Sequence, residues 1–476
     1  RLVEILAQKI RKQVHIRIIG DYDVDGVTSS HLFLTALRRV GAKVDVVIPH
    51  RIQDGYGLSL HLLQQAKEDG VDTILTCDNG IAAIDEIAWA KAQKMTVLVT
   101  DHHAVPFEEH EGRRTEKKSL ADAVVNPHQQ DCGYPYKELC GAGVAWNVIR
   151  VLYENYDMDK REAEDLLDFV AMATVCDVMS LTGENRILVK EGLKRIRHTK
   201  NIGLQALMQA CNVQPENISA YHFGYVLGPC VNATGRLDTA RHALRLFETG
   251  QETEAEEIAR DLVDLNQERK ELTLQGVEMA KKLCEEGGYE NDPILVLFLP
   301  DVHESIAGLI AGRIREMYNR PVFVLTRGEE GVKGSGRSTE NYSMYENMCG
   351  CAELFTKFGG HPMAAGLSLP EENVEKFRRK INENCPLTVE EVCPDIHIDM
   401  AMPVGYASTE LVHQFALLEP FGKDNPSPLF ADRNLSISRM WVIGKNRNVL
   451  RMSVLSEYGQ PVPVIFFGDV ETLFAY

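Results

Sequence analysis

Hydrophobic positions in the first 130 residues follow two periods. Short apolar runs, "VHIRIIG", "AKVDVVIP", "DTILTCDNG", "TVLVTDHH" and "DAVVNPH", are rich in β-branched residues and close on Gly, Asp, Asn or Pro. Between them lie stretches with helical spacing. In "GVTSSHLFLTALRRVG", Leu32, Leu34, Leu37 and Val40 mark one face and Gly41 a stop; "SLHLLQQAKEDG" and "AAIDEIAWAKAQK" read the same way. Short runs bounded by turn residues predict buried strands, and the longer pattern predicts amphipathic helices. Repeated strand–helix units predict a parallel sheet covered on both faces. Ligands of such sheets bind beyond the carboxyl ends of the strands.

The pattern changes further along. "EAEDLLDFVAMATVCDVMSLTGENR" reads as one helix of apolar and small residues, with Asp177 in its last turn. From Glu248 to Gly288 there is no proline, and Ile258, Leu262, Leu265, Leu272, Met279 and Leu283 form a stripe. One long helix ending at Gly287 and Gly288 is predicted, able to join two domains. "PILVLFLP" and "SIAGLIAGRIREMY" open a second α/β unit. After Pro386, "IHIDM", "LSISRMWVIG", "VLRMSVLS" and "VPVIFFG" predict five or six short strands of a small barrel.

Strand ends carry the candidate chemistry. Asp21, Asp23 and Asp25 follow the first strand, Asp78 another, and Asp101, His102 and His103 a third. In a parallel sheet all three groups meet at one edge. Alone, each has an ordinary reading as a turn, a helix cap or a surface histidine pair. Three coincidences at strand ends favour a common purpose. Clustered carboxylates raise one another's pKa unless cations neutralise them. Oxygen-rich ligation with an imidazole suits Mn2+ or Mg2+ better than structural zinc. Asp177, amid apolar neighbours, also needs a partner.

Composition narrows the setting. The chain has 476 residues, 44% hydrophobic and 25% charged, in the range of a globular protein of about two to four domains. No apolar run approaches the roughly 20 residues of a membrane span. The amphipathic N-terminus is not a secretory signal, and its abrupt start leads us to expect residues upstream. Eleven scattered cysteines without a Cys-x-x-Cys pair argue for a reducing cytoplasm. Cys349 and Cys351 are read as buried thiols. A net charge of −18 disfavours nucleic acid only globally, because the local field decides binding. "GVKGSGRSTE" is the phosphate candidate: Gly334 and Gly336 allow close backbone approach, while Ser335, Arg337 and Ser338 donate. "DVHE" precedes a helix whose first N–H groups favour an anion.

"GDYDVDG", "CDNG", "TDHH" and Asp177 resemble the four motifs of the DHH phosphoesterase superfamily. "PHRIQDGYGLS", "GPCVNATGRLDTA", "HESIAGLIAGRIREMYNRPVFVLT", "GSGRS", "FGGHPMAAGLSL" and "LLEPFGKDNPSPLF" resemble, in order and over nearly the whole chain, the RecJ family of bacterial single-stranded-DNA exonucleases. The resemblance implies an α/β parallel-sheet DHH catalytic domain (1–245) and a long connecting helix (246–290). It further implies a second α/β, DHH-associated substrate-binding domain (291–385) and an OB-fold β-barrel (386–476). It implies two metal ions, Mn2+ or Mg2+. Asp23 and Asp25 would bind one each, Asp78 would bridge, and His102 and Asp177 would complete the second site. Asp21 would replace a family histidine, since Ile19 occupies that position. Asp101 would orient the histidines and His103 would face the scissile phosphate, so that Asp78, Asp101, His102 and His103 form the catalytic set. Arg51, Asn232, Arg236, His303, Ser335, Arg337 and His361 are the implied DNA and phosphate contacts. Cys230 stands where the family commonly has an arginine. Phe415, Phe421, Phe430 and Trp441 are candidate stacking residues of the barrel. The implied function is 5′-to-3′ hydrolysis of single-stranded DNA to 5′-mononucleotides in repair and recombination. Single-strand-binding protein and a helicase are the implied partners, in the cytoplasm. Two alternatives stay open: a DHH phosphodiesterase of short oligonucleotides or cyclic dinucleotides, and a catalytically silent DNA-binding scaffold.

Overall fold

The apolar runs near the N-terminus become strands of one sheet in the computed structural model: β1 (His15–Ile19), β2 (Lys43–Val47), β3 (Thr73–Cys77) and β4 (Thr96–Thr100). Two further strands, β5 (Phe107–His110) and β6 (Arg113–Glu116), form a separate hairpin that the polar sequence did not announce. β7 (Ala123–Val125) completes the sheet, whose order is β2-β1-β3-β4-β7 with every pair parallel. Ile19 pairs with Val47 and Thr76, and Cys77 with Thr100, so β1, β3 and β4 end nearly flush. All five residues of β3 are buried, as a strand covered on both faces requires.

The structure describes all residues except 52–53, 111–112, 290–291, 329–330, 388–395, 445–446, 469 and 476. It divides into two compact units, Arg1–Pro394 and Asp395–Tyr476. The expected division at 290/291 lies outside the described residues, as does Cys393. Among the described residues every cysteine is free; Cys351 is buried, but Cys349, at the end of helix Met344–Cys349, is exposed, contrary to the sequence reading.

The stretch read as a single helix around Asp177 is three: Lys160–Glu164, Leu167–Cys176 and Gly183–Arg195. Asp177 is the residue just past the second helix, not in its last turn. Val178 takes a left-handed φ of 53°, and Met179 N–H donates back to Thr174 and Val178 N–H to Val175. This closure turns the chain away and leaves the Asp177 side chain at the helix end.

The long helix runs Glu252–Glu286 and stops at Gly287 as predicted. It starts later than expected, because Arg241–Glu248 is a separate helix that crosses the expected 245/246 boundary. Arg245 and Thr249 both engage Glu254, fixing the corner between them. Ile258 and Leu262 are buried as the stripe requires, but beyond them the buried face is Thr273, Gly276, Val277, Ala280 and Cys284, with Met279 exposed. Small residues are needed there. A Cβ on Gly276 would lie 2.3 Å from Ile310 of the crossing helix Glu304–Tyr318.

That helix covers a second sheet of order β11-β12-β10-β9-β8. Its strands are β8 (Leu295–Phe298), β9 (Val322–Gly328), β10 (Gly331–Arg337), β11 (Lys357–Gly360) and β12 (Ala364–Leu369). Only β8 and β9 are parallel. "GSGRS" is therefore largely strand rather than a backbone loop. Cβ atoms on Gly334 and Gly336 would collide with Leu325, Leu367, Phe323 and Met344. The glycines let core side chains approach, and the alternation puts Ser335 and Arg337 on the opposite face.

The second unit carries β13 (Met400–Ala401) paired with β14 (Phe430–Ala431), and an antiparallel sheet of β15 (Ser436–Ile443), β16 (Val449–Leu455) and β17 (Pro461–Phe467). Of "IHIDM" only Met400 is in a strand. Phe415 and Phe430 stack on each other, centroids 5.5 Å apart, whereas Trp441 is 44% exposed.

Candidate metal centre

The chain leaves β1 through Gly20 and turns at once into helix Val24–Arg39. Asp23 caps this helix, accepting from Gly26 N–H at 3.0 Å. Asp25, in its first turn, accepts from Gly141 N–H at 2.5 Å and Ala142 N–H at 2.7 Å. These amides open helix Gly141–Asn155, where unsatisfied N–H groups and the helix dipole favour a carboxylate. Asp78 follows β3 with a left-handed φ of 62°, and its N–H is tied to Thr100.

Asp21, Asp23, Asp25, Asp78, His102 and Asp177 converge at this edge. His102 Nε2 lies 3.1 Å from Asp78, 3.6 Å from Asp177 and 3.7 Å from Asp25. Ligand atoms fall into three overlapping groups, each within 4.8 Å: Asp21/Asp23/Asp78, Asp25/His102/Asp177 and Asp78/His102/His103. Asp78 and His102 each belong to two of them. Asp21 Oδ1, Asp78 Oδ1 and His102 Nε2 are buried with no hydrogen-bond partner. Burial and then neighbouring carboxylates push Asp21 and Asp78 well above the usual carboxylate range. Burial, then Asp25, raises Asp23, and burial lowers His102. Unpartnered carboxylate and imidazole atoms and self-repelling acids of this kind fit divalent cations, which satisfy both at once.

Asp101 plays a different part. Its carboxylate accepts from the N–H groups of Ile81, His102 and His103 and lies 2.8 Å from His103 Nδ1. Burial alone would raise it, but His103 and these amides hold it below its ordinary value. His103, against the opposing effect of burial, is pushed up to about 9 by Asp101, Asp177 and Asp25. The Tyr56 hydroxyl lies about 3 Å from the His103 ring and donates to Asp78 C=O at 2.9 Å. Tyr56 was not singled out from the sequence, although "GYGLS" contained it.

A corner of arginines adjoins the acids. The Arg51 guanidinium sits 4.8 Å over the Tyr22 ring. Arg236 donates to Ser305 C=O at 2.7 Å, and Arg337 to Gly336 C=O at 2.7 Å and Ser335 Oγ at 3.3 Å. Burial, then Arg51, Arg269 and Arg337, lowers Arg236 to about 10; burial and Arg51 lower Arg337. A cavity of about 440 Å³ beside this corner is lined by Tyr22, Arg51, Tyr56, Ser305 and Ser335 among others. Asn232 is engaged structurally, accepting from Val24 N–H at 3.1 Å. His303 caps helix Glu304–Tyr318 and contacts Ser305 Oγ at 2.7 Å. His361 is exposed in the β11–β12 turn and does not line this cavity. Cys230 points into the core, 3.8 Å from Cys211 and accepting from Asn266. Position 230 therefore does not face the corner in this chain. Arg269, which the sequence reading passed over, lies against Asn266 Oδ1 from the long helix.

Three family models match: the DHH family, N-terminal domain, over residues 15–174; the DHHA1 domain over 291–385; and the RecJ OB domain over 398–475. The chain is 35% identical over 477 residues to the single-stranded-DNA-specific exonuclease RecJ of Haemophilus influenzae, covering 96% of this chain and 81% of that one. It is 34% identical over 459 residues to the protein of the same name from Bacillus subtilis, of whose length it spans 56%. Among solved structures, RecJ in complex with Mn2+ from Thermus thermophilus aligns with a TM-score of 0.81 at 29% identity, over 98% of this chain and 66% of that one. A manganese-bound exonuclease RecJ aligns at 0.68 and 32% identity, over 80% of this chain and 92% of that one.

Proposed function

The chain belongs to the RecJ family, and from that premise we propose that it is a 5′-to-3′ exonuclease that hydrolyses single-stranded DNA to 5′-mononucleotides with two Mn2+ or Mg2+ ions. One observation carries the reading: buried, partnerless carboxylate and imidazole atoms lie beside Tyr22, over which the Arg51 guanidinium sits.

Asp21, Asp23 and Asp78 would hold one ion, and Asp25, His102 and Asp177, with Asp78 shared, would hold the other. Bound there, two divalent ions would supply Lewis-acid chemistry, lowering the pKa of a water and offsetting charge on the phosphoryl oxygens. The protein supplies position and protons. Asp101 fixes the backbone of both histidines and favours the protonated form of His103. His103 then offers a hydrogen bond to a phosphoryl oxygen, its ring held by Asp101 at Nδ1 and flanked by the Tyr56 hydroxyl. Arg51, Arg236, Arg337 and Ser335 grip the terminal 5′-phosphate, with Asn232 and His303 shaping the wall. The water oxygen forms a bond to phosphorus while the bond to the departing sugar oxygen breaks on the opposite side. No serine or cysteine nucleophile is required. His361, on its exposed turn, contacts the strand outside the corner.

In domain terms, residues 1–245 are catalytic, 246–290 connect through the long helix, 291–385 grip the substrate backbone, and 386–476 bind single strands. The match to the RecJ OB domain favours long single strands over dinucleotides. The complete acid set favours an enzyme over a silent scaffold. Among the described residues no helix is long and apolar enough to cross a membrane. We place the protein in cytoplasmic repair and recombination, alongside single-strand-binding protein and a helicase. Digestion of end-labelled single- and double-stranded DNA with Mn2+ or Mg2+ tests the function. Nucleotide release from the 5′ end of single strands is expected, and loss of the 3′ label first would overturn it.

A further inference from the structure

The segment Ala220–Leu237 is helical throughout but not of one pitch. Phe223–Leu227 form a π turn, in which N–H groups reach back five residues. Such turns recur at functional sites. Here Tyr221 and Tyr225 stack, centroids 5.1 Å apart and planes 25° from parallel. Both rings are exposed, by 62% and 70%. Two parallel aromatic faces held in water contribute nothing to the core.

Two independent features give the pair a setting. First, the π turn braces the Asp177 end of the metal centre. Cys176 Sγ donates to Phe223 C=O at 3.3 Å, and a Cβ on Gly228 would lie 2.3 Å from Cys176 Sγ. Arg51 lies over Tyr22, beside Asp21 and Asp23. Second, Tyr225 lines a cavity of about 780 Å³ whose charged lining is Arg236, Arg269, Lys270, Arg313, Arg315 and Arg337 against Glu316. Glu316 lies 3.6 and 3.7 Å from Arg313 and Arg315; the other four have no ion-pair partner among the described residues. In a chain of net charge −18, so many unmatched cations in one cavity imply a polyanion.

We propose that Tyr221 and Tyr225 are a stacking platform for bases on the 3′ side of the cleaved linkage, with Arg269, Lys270, Arg313 and Arg315 following the strand's phosphates. This deepens the nuclease reading and rests on it. Tyr225 and Arg236 stand at opposite ends of one helical segment, roughly 16 Å apart at ordinary helical rise. A dinucleotide gripped at the corner is consumed before it reaches the platform, while longer strands engage it. Stacking on an aromatic face tolerates any base, as a non-specific exonuclease requires.

The test uses the full chain with Tyr221→Ala, Tyr225→Ala, the double variant and Tyr225→Phe. Fluorescence anisotropy in EDTA measures binding of a 5′-phosphorylated, 3′-labelled 20-mer and of the same strand with abasic sites near its 5′ end. Hydrolysis of a 5′-phosphorylated dinucleotide in Mn2+ reads the chemistry. The proposal expects roughly tenfold weaker 20-mer binding by Tyr225→Ala, recovery in Tyr225→Phe, and unchanged dinucleotide kcat/KM. It also expects abasic sites to weaken the parent but not the double variant. Wild-type affinity in the double variant, or an equal loss on the dinucleotide, would overturn it. If the parent hydrolyses neither substrate, the nuclease reading falls, while the anisotropy series still decides the platform.

Discussion

Gly141 offers a test of the metal centre that replaces none of its candidate ligands. Its N–H, with that of Ala142, is donated to Asp25, and an added Cβ would lie 2.6 Å from Asp78 Cβ, 2.8 Å from Asp78 Oδ1 and 3.0 Å from Asp25 Oδ2. Ordinary contact begins near 3.4 Å, so Gly141→Ala forces both carboxylates or the helix end to move by about half an ångström. The two amide bonds are charge-assisted, worth roughly 1.5–3 kcal/mol each when intact. Disturbing the groups that hold a ligand typically costs about 10- to 100-fold in metal affinity or activity. Gly143 is the control: it lies in the same first turn, and the nearest atom its Cβ would meet is on Leu139, at an ordinary 3.4 Å. Alanine at either site favours the helix by up to about 1 kcal/mol, so neither variant should unfold. Calorimetric titration with Mn2+ is expected to show weakened binding for Gly141→Ala and parental binding for Gly143→Ala, with matching circular dichroism. Parental Mn2+ affinity and turnover in Gly141→Ala would show that this helix end does not set the acid geometry.

Three further outcomes are expected. Asp78→Ala should abolish hydrolysis yet leave a gel shift with single-stranded DNA, because Asp78 is shared by two ligand groups; near-normal turnover would refute its bridging role. Arg337→Ala should cost about ten- to a hundredfold in kcat/KM on 5′-phosphorylated strands and less on 5′-hydroxyl strands, one charge-assisted contact being worth roughly 1.5–3 kcal/mol; equal loss on both would make Arg337 a general backbone contact. Asp168 is buried and raised to about 6 by that burial, against the opposing hydrogen bonds from Thr199 and Phe169 N–H. Its folded state holds a proton more tightly than an unfolded aspartate near 3.9, so its contribution to stability falls as pH rises from about 4 to about 6, by up to ~3 kcal/mol. Asp168→Asn should therefore raise Tm at pH 7.5 but not at pH 4, and a pH-independent difference would contradict the assignment.

The acid edge was legible because β1, β3 and β4 are short buried runs, each followed at once by its acids or histidines. Where side-chain direction depended on packing between distant segments, the sequence was silent. Nothing local shows that Cys230 faces Cys211 and Asn266, since those neighbours come from other helices. Gly334 and Gly336 have poor strand propensity, yet lie in β10 because Phe323, Leu325 and Leu367 fill the space a side chain would take. The helix break after Asp177 has no glycine or proline; a β-branched valine adopts φ 53°, stabilised by two backbone bonds that no propensity scale records. The buried face of the long helix shifts from large to small residues where helix Glu304–Tyr318 crosses, a contact between segments. Tyr56 is the exception: its motif was in hand, and only its role went unread.

The flush ends of β1, β3 and β4 have a consequence for biosynthesis. The candidate ligand atoms at that edge come from Asp21 to Asp25, then Asp78, then His102, and lastly Asp177, so the order of translation is the order of delivery. A nascent chain that has emerged only as far as His102 presents acids at one edge without the carboxylate that closes the second group. Full metal affinity must therefore wait until helix Leu167–Cys176 has left the ribosome and docked. Cation uptake on stalled chains of increasing length should then rise in a step after residue 177, making the metal a reporter of when the domain is finished.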